Sequence, residues 1–303
     1  MTDQEYSPEK FIDREDERLL FHQLLKFQDD ARLLTICDAG ARGKSTLLKH
    51  LRYECGWHHE PSKLAGLVLL NEFSDYSRFD FVTQLKKDLT DFAGEYSLKL
   101  RFPKFDRLDR ARSNSDFAPF RTLLDPDAPD PDAPTRADAG SAEGWNQYKE
   151  DTARRECVDA FLEDLRKISN TQPLIVLLDA WEHAEAELRE WIVHRIVRPF
   201  CFNTEVRPET FVLVLAGREL PDFKHRMGDE GRFKKLVKSI PVLGLWEERH
   251  VRDFLKANGY EDLSQEEDSV SYIHARLKDG WSLLAVQELA KAMRAGKKAM
   301  RSG

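Results

Sequence analysis

The stretch Thr35-Ile-Cys-Asp-Ala-Gly-Ala-Arg-Gly-Lys-Ser-Thr46 decides the fold of this chain. The apolar run Arg32–Cys37 predicts a buried strand, and Gly43–Thr46 predicts the opening turn of a helix. A strand, a loop of small residues and a helix in this order are the context of a phosphate-binding loop. The physical reason is that successive backbone N–H groups at a helix N terminus bind anions. The plainer alternative is an ordinary strand-to-helix turn.

The residues of this loop have distinct expected roles. Gly40 and Gly43 let the backbone turn tightly around phosphates. Lys44 reaches the β and γ oxygens, and the Ser45 hydroxyl ligates Mg²⁺. Asp38 stands where the motif G-x-x-x-x-G-K-[ST] has glycine, and its carboxylate either points away from a nucleotide or repels its phosphates. The predicted cofactor-binding residues here are Asp38, Ala39, Gly40, Ala41, Arg42, Gly43, Lys44, Ser45 and Thr46.

Two further segments supply the remaining candidate residues. The apolar run Leu174–Asp179 predicts a strand that ends in the second Mg²⁺ ligand, Asp179, and Glu182 follows as a candidate general base. Glu182 is alternatively a helix N-terminal residue favoured by the helix dipole. Arg218 follows another apolar run and is expected to sense or neutralise the γ-phosphate, or to be a salt-bridged surface arginine. Lys44, Glu182 and Arg218 are thus the candidate catalytic residues.

Strand and helix patterns alternate along the chain, which predicts βαβ units and a mostly parallel sheet. The predicted strands are 32–37, 65–70, 173–179, 211–216 and 238–243, the last at an edge because it contains Pro241. The predicted helices of the α/β part are 13–28, 44–54, 79–92, 147–168 and 183–197. After Gly244 the pattern is wholly helical, with helices at about 247–258, 265–278 and 282–295. We therefore expect a lead helix in 1–30, an α/β core in 31–243 and a helical unit in 244–303.

The stretch 124–144 interrupts this pattern. It is rich in proline and acidic residues and has no large apolar residue after Leu124, so it predicts a disordered, acidic insertion.

Composition excludes several classes of protein. The chain has 303 residues, 33% of them charged, with 47 Lys and Arg against 54 Asp and Glu and a formal net charge of -7. Its mean hydropathy is -0.58 and its longest apolar runs are strand-sized, so no membrane span is expected. No signal peptide is recognised, and the four cysteines form no C-x-x-C pair, which favours a cytoplasmic location without disulfides or a zinc ribbon.

Taken together, the motifs resemble those of STAND-type NTPases, which are relatives of the NACHT and NB-ARC switches and, more distantly, of AAA+ proteins. Phe11-Ile-Asp-Arg-Glu15 resembles the family's Phe-x-Gly-Arg-Glu motif, and 38–46 resembles its Walker A motif. The segment 174–182 resembles its Walker B motif, and 211–218 resembles its sensor strand and arginine. The chain departs from the family at Asp13, at Asp38, and at Gly280-Trp-Ser282, where many relatives have Gly-x-Pro.

The resemblance implies a P-loop NTPase fold of the three-layer α/β class. Its five-stranded parallel sheet would have the order 5-1-4-3-2, and a small C-terminal helical lid would close over adenine. It adds Arg14 to the cofactor-binding residues, with ATP or ADP and Mg²⁺ as cofactors.

The function expected from this resemblance is an ATP-binding switch with slow Mg²⁺-dependent hydrolysis, acting in signalling or defence. Its partners would be the nucleotide and a protein partner, or effector and sensor domains outside this chain, with nucleotide-dependent homo-oligomers as a further option. A non-hydrolysing scaffold is one alternative, supported best by Asp38. A DNA-associated helper ATPase is another, although nucleic acid is not the expected partner. Its only support is a run of basic residues, Lys291, Arg294, Lys297, Lys298 and Arg301. A small-molecule phosphoryl transferase is weaker still, because no acceptor-binding motif is recognised.

Overall fold

The computed structural model describes residues 7–8, 11–12, 14–38, 43–57, 62–70, 77–113, 142–227, 230–240, 243, 246–279, 281 and 283–302. Within these ranges no helix has both the length and the apolarity required to cross a bilayer.

A five-stranded parallel sheet forms the centre of the molecule. Its strands are β1 (Leu33–Cys37), β2 (Leu64–Leu69), β3 (Leu174–Asp179), β4 (Phe211–Gly217) and β5 (Val237–Ile240). They lie in the order β2-β3-β4-β1-β5, and every pair is parallel. This is the predicted order read from the other edge, so the predicted topology is confirmed. The predicted edge position of β5 is confirmed as well, and residues 241–242 of the predicted strand lie outside the described residues.

The apolar composition of the strands follows from their position. Every residue of β3 and β4 is buried, as expected for parallel strands that helices cover on both faces. Cys37 at the end of β1 lies opposite Gly217 in β4, and Leu178 in β3 lies opposite Leu215 in β4. The carboxyl ends of β1, β3 and β4 therefore meet at one edge of the sheet, and the candidate site lies there.

The α-helices of this part are α1 (Glu15–Leu24), α2 (Lys44–Trp57), α3 (Arg78–Glu95), α4 (Pro103–Ser113), α5 (Ala142–Thr171), α6 (Ala186–Ile192), α7 (Phe223–Met227) and α8 (Glu230–Leu236). Helices α2 and α3 pack on β2, and α4 pairs with α5. A capping box at Ser77 and Asp80 starts α3. Helices α4, α7 and α8 are not predicted by the sequence pattern, because α4 is mostly polar and α7 and α8 have only 5 and 7 residues.

The predicted helix 183–197 is divided into three segments. A 3₁₀ turn occupies Trp181–His183, α6 follows, and a π-helical segment continues over Val193–Phe202. Pro199 lies inside the last segment and lacks the backbone N–H that an α-helix needs. Asn203 donates a hydrogen bond to the Arg198 carbonyl five residues back at 2.9 Å, the spacing of a π turn.

The predicted acidic insertion lies mostly outside the described residues, which resume at 142. Residues 142–144 of that prediction belong to α5, which begins about five residues earlier than expected.

The C-terminal part contains α9 (Glu248–Ala257), α10 (Glu261–Ser264), α11 (Glu267–Lys278) and α12 (Leu283–Ser302). Its apolar side chains form a separate cluster around Val251, Leu263 and Ile273, which we call the helical-unit core. The larger cluster around the sheet is the main core. Two adjacent residues near the N terminus contact different clusters. Phe11 packs against the main core, and Ile12 packs against the helical-unit core.

Candidate nucleotide-binding site

The phosphate-binding loop begins at Asp38, directly after β1, and leads into α2. Gly43 has φ 84°, a left-handed conformation that favours glycine, and its carbonyl accepts a hydrogen bond from the Leu47 N–H at 2.9 Å. Ser45 and Thr46 are exposed in the first turn of the 14-residue α2. Four predicted loop residues lie outside the described residues: Ala39, Gly40, Ala41 and Arg42.

Lys44 is buried at the start of α2, with 8% of its surface exposed. Its Nζ donates a hydrogen bond to the Asp38 carbonyl oxygen at 2.6 Å. Burial lowers the pKa of Lys44, while the negative charges of Asp38, Glu182 and Asp179 oppose that effect. The ammonium group therefore lies among the other candidate residues.

Asp179 ends β3 as a buried carboxylate, with 3% of its surface exposed. It accepts a hydrogen bond from the Ala180 N–H at 2.8 Å, and the Ser45 hydroxyl lies close enough to Asp179 to oppose the effect of burial on its pKa. Burial nevertheless raises the pKa of Asp179. The structure thus brings together the two residues predicted to ligate magnesium, although they belong to different elements.

The hydroxyl and carboxylate oxygens of Ser45 and Asp179 fit Mg²⁺, which usually takes one or two protein oxygens and completes its shell with water and phosphate. Among the described residues there is no group of three or more His, Cys, Asp or Glu side chains that could hold a metal. Ser45 and Asp179 together offer two oxygen ligands, which leaves the rest of a Mg²⁺ shell to water and phosphate.

The buried strand β1 leads through the left-handed Gly43 into α2, within a parallel sheet of order 2-3-4-1-5. At the end of the neighbouring strand β3, Asp179 interacts with Ser45. The fold is that of a P-loop NTPase.

Glu182 and Arg218 form an ion pair beside this site. Glu182 Oε2 accepts the backbone N–H of Arg218 at 2.9 Å, and Glu182 Oε1 lies 3.3 Å from Arg218 Nε. A Cβ atom on Gly217 would be 2.9 Å from Glu182 Oε2 and 3.0 Å from the Glu219 carbonyl oxygen. Glycine at 217 therefore permits the close approach of the glutamate to the end of β4.

Two other predicted residues have contacts that the sequence did not indicate. Asp38 is 8% exposed, and its Oδ2 accepts a hydrogen bond from the backbone N–H of Leu243 at 2.9 Å, beyond the end of β5. Arg14 is buried in a left-handed conformation directly before α1 and pairs with Glu17 at 3.5 Å. A nucleotide-binding role for either residue stays a prediction.

A buried polar cluster behind the loop was missed by the sequence reasoning. Glu54 in α2 is 1% exposed and lies 3.2 Å from His22 and 3.4 Å from His50, and it also binds Arg18. Phe11 stacks on the His50 ring at a centroid distance of 3.7 Å. The only sequence signal was the i,i+4 spacing of His50 and Glu54 on one helix. The cluster connects the N-terminal segment to α2, the helix that follows the phosphate-binding loop.

Comparisons with known proteins give a limited result. No family model matches the sequence, and no curated protein matches it either. Cdc6p from Pyrobaculum aerophilum is similar in structure with a TM-score of 0.46 and 12% identity, over 90% of this chain and 56% of that one. The ORC2 protein of Aeropyrum pernix is similar in its ADP form, with a TM-score of 0.47, 11% identity, and 95% and 71% of the two chains covered. Its ADPNP-ADP complexes give a TM-score of 0.44 and 12% identity, over 86% of this chain and 54% of that one.

This chain spans about half the length of the Cdc6p structure and of the ORC2 structure with ADPNP and ADP. At this level of likeness, function has to be inferred from the geometry of the site itself.

Proposed function

We propose that this chain is a nucleotide-dependent molecular switch that binds ATP with Mg²⁺ and hydrolyses it slowly. The observation that carries this proposal is that the Ser45 hydroxyl and the Lys44 ammonium group both interact with the buried Asp179 carboxylate. A helix N terminus, a lysine and a hydroxyl–carboxylate pair are together the groups that a phosphate–magnesium complex requires.

Each residue has a defined task in this proposal. Lys44 and the first backbone N–H groups of α2 bind the β- and γ-phosphates. Ser45 and Asp179 hold the magnesium ion, which supplies neutralisation of the developing phosphate charge when bound. Glu182 orients a water molecule and accepts its proton, and Arg218 stabilises charge on the γ-phosphate. Arg14 and the helical unit complete the adenine side of the site.

The output of the switch is a change in conformation or assembly. In the proposal, residues 31–243 are the catalytic core, 1–30 lead into it, and 244–303 form the lid. The nucleotide state sets the position of the lid and thereby the binding of a protein partner or of a second copy. The STAND-like motifs support a signalling or defence role in the cytoplasm, with effector and sensor functions supplied by other domains or proteins.

The deciding experiment is calorimetric titration of the chain with ATP and ADP, with and without Mg²⁺, on the wild type and on Lys44→Ala. The matched control is Lys49→Ala, which removes a lysine from the same helix five residues further along. We expect Mg²⁺-dependent binding that Lys44→Ala abolishes and Lys49→Ala retains. If the wild type binds neither nucleotide, the ATPase proposal is wrong and the scaffold alternative is favoured.

The DNA-associated alternative depends on the basic residues of α12. Lys291 pairs with Glu288 at 2.6 Å, Arg294 lies 3.8 Å from Asp262, and Lys297 pairs with Glu266. These three pairs satisfy part of the positive charge within the helical unit. Fluorescence anisotropy with duplex DNA at increasing salt tests a nucleic-acid partner directly, because binding through phosphates weakens steeply as salt rises.

A further inference from the structure

Asp38 makes hydrogen bonds in three directions. Its N–H donates to the Gly217 carbonyl oxygen at 3.2 Å, and its own carbonyl accepts from Lys44 Nζ at 2.6 Å. Its carboxylate accepts the Leu243 N–H at 2.9 Å. One residue thus contacts the phosphate-binding lysine, the strand that ends before Arg218, and the connection that follows β5.

Leu243 is placed where the chain leaves the sheet. It lies three residues beyond the end of β5, is fully buried, and belongs to the main core. Trp246, three residues later, already belongs to the helical-unit core and packs on Phe254 at a ring distance of 5.3 Å. The Leu243 N–H therefore marks the junction between the two cores.

The hydrogen bond at this junction is a strong one by its chemistry. A carboxylate accepts hydrogen bonds more strongly than a neutral oxygen does, and the effect increases where water is excluded. Asp38 is 8% exposed and Leu243 is 0% exposed, so the bond lies away from bulk water. The glycine that phosphate-binding loops have at position 38 has no side chain with which to make this bond.

We infer that Asp38 is a positioning residue that holds the junction at Leu243 and links the phosphate-binding loop to the placement of the helical unit. The link to nucleotide rests on the proposed function. Asp38 binds Lys44 through its carbonyl oxygen and Leu243 through its carboxylate. A bound phosphate that attracts Lys44 Nζ away from the carbonyl would therefore act on the residue that holds Leu243. Coupling between two sites is reciprocal. If nucleotide binding changes the conformation at the Leu243 junction, then a substitution that changes the junction must also change the affinity for nucleotide.

The first test uses the full chain without nucleotide and measures hydrogen exchange at the Leu243 amide. Asp38→Ala removes the acceptor, so we expect exchange to become faster by about tenfold or more. Asp38→Asn keeps a side-chain oxygen and should retain most of the protection. The control is Thr35→Val, which removes a 2.9 Å hydrogen bond to Ser239 between β1 and β5 and leaves Leu243 untouched. Unchanged exchange in Asp38→Ala, or equal acceleration throughout the sheet, would overturn the inference.

The second test adds ATP with Mg²⁺, or ADP. We expect nucleotide to change the exchange at Leu243 in the wild type and in Asp38→Asn, and not in Asp38→Ala. The ratio of ATP to ADP affinity should differ from that of the wild type in Asp38→Ala and equal it in Asp38→Asn. A general loss of stability would not produce this difference between the two variants. An Asp38→Gly variant that binds ATP more tightly while Leu243 stays protected would contradict the positioning role. If the wild type binds no nucleotide, the proposed function and the link to nucleotide fail, while the nucleotide-free test still decides the positioning role.

Discussion

The Glu182 carboxylate contacts both the backbone N–H and the guanidinium of Arg218. The backbone N–H of Arg218 is fixed at the end of β4, at 2.9 Å, whereas the guanidinium approaches at 3.3 Å from a side chain that is 59% exposed. An exposed ion pair of this kind contributes little to stability, so the guanidinium can leave it at small cost. The backbone N–H of Arg218 thus orients the Glu182 carboxylate, the exposed guanidinium covers it, and the His183 ring lies 3.8 Å from the same Oε1. A γ-phosphate that attracts the Arg218 guanidinium would uncover the carboxylate.

Replacing Glu182 by glutamine should preserve ATP binding and slow hydrolysis. The amide keeps an oxygen for the Arg218 N–H but cannot accept a proton from water, so we expect single-turnover hydrolysis to fall by about 10²- to 10⁴-fold. The nucleotide recovered with the variant should be ATP rather than ADP. Glu185→Gln, at an exposed position three residues further on, is the control. Hydrolysis at the wild-type rate in Glu182→Gln would show that another residue is the base.

Replacing Arg218 by alanine should reduce the preference for ATP over ADP by about five- to tenfold, a coupling of ordinary size. The thermal midpoint should hardly change, because the lost ion pair is exposed. Parallel titrations with both nucleotides measure the ratio. Arg189→Ala in α6 removes a nearby arginine as a control. An unchanged ratio in Arg218→Ala would indicate a surface arginine without a nucleotide role.

Replacing Asp179 by asparagine should stabilise the chain while abolishing Mg²⁺-dependent binding. Burial raises the pKa of Asp179, so the folded state disfavours the charged form. The penalty is absent below the unfolded pKa of about 3.9 and grows as the pH rises through the higher folded pKa. The Asn variant should therefore melt at a higher temperature than the wild type at neutral pH, and the difference should vanish near pH 3–4. Asp253→Asn, at an exposed position, should shift the midpoint little; a lower midpoint for Asp179→Asn would contradict the prediction.

Replacing Glu54 by glutamine should destabilise the chain by about 2 kcal/mol at neutral pH. Burial alone would raise the pKa of Glu54, but the close approach of His22, His50 and Arg18 holds it well below its ordinary value. This stabilisation is present above the unfolded pKa of about 4.3 and is lost as the pH falls through the lower folded pKa. Urea unfolding at several pH values should show the difference from the wild type shrinking only below about pH 4. Glu163→Gln, which breaks an exposed pair with Lys104, is the control, and an equal effect there would refute the assignment.

Replacing Gly66 by alanine should destabilise the chain by about 1–3 kcal/mol through overpacking. A Cβ atom at this position in β2 would lie 2.8 Å from Leu89 Cγ and 2.9 Å from Leu85 Cδ1, and both leucines are fully buried in α3. Gly94→Ala, at the exposed end of the same helix, has no atom within 4 Å of the new Cβ. It should be neutral or stabilising by up to about 1 kcal/mol. Chemical unfolding of both variants separates the two cases, and similar free energies for them would show that α3 can move away from β2.

Local sequence was enough to predict where the strands lie. Each strand is an apolar run too short for a core helix, and the motif after Cys37 identifies β1 as the strand that leads into a phosphate-binding loop. The resemblance of the motifs supplied the sheet order. Helix α4 and the π-helical segment at Val193–Phe202 were not predictable in the same way. In sequence, the few apolar residues of α4 resemble those of a loop, and the apolar spacing of a π-helical segment resembles that of an α-helix. Only packing against the rest of the chain distinguishes these structures.

By itself, then, the sequence determined the positions of the strands and that the candidate residues follow the ends of parallel strands, because apolar runs and phosphate-binding motifs are encoded within a few neighbouring residues. Only the tertiary structure decided how those residues pair. Glu182 with Arg218 and Asp38 with Leu243 are contacts between segments 36 and 205 residues apart. Such contacts depend on strand order, on register and on which groups are buried together, and these are set by the packing of the whole chain.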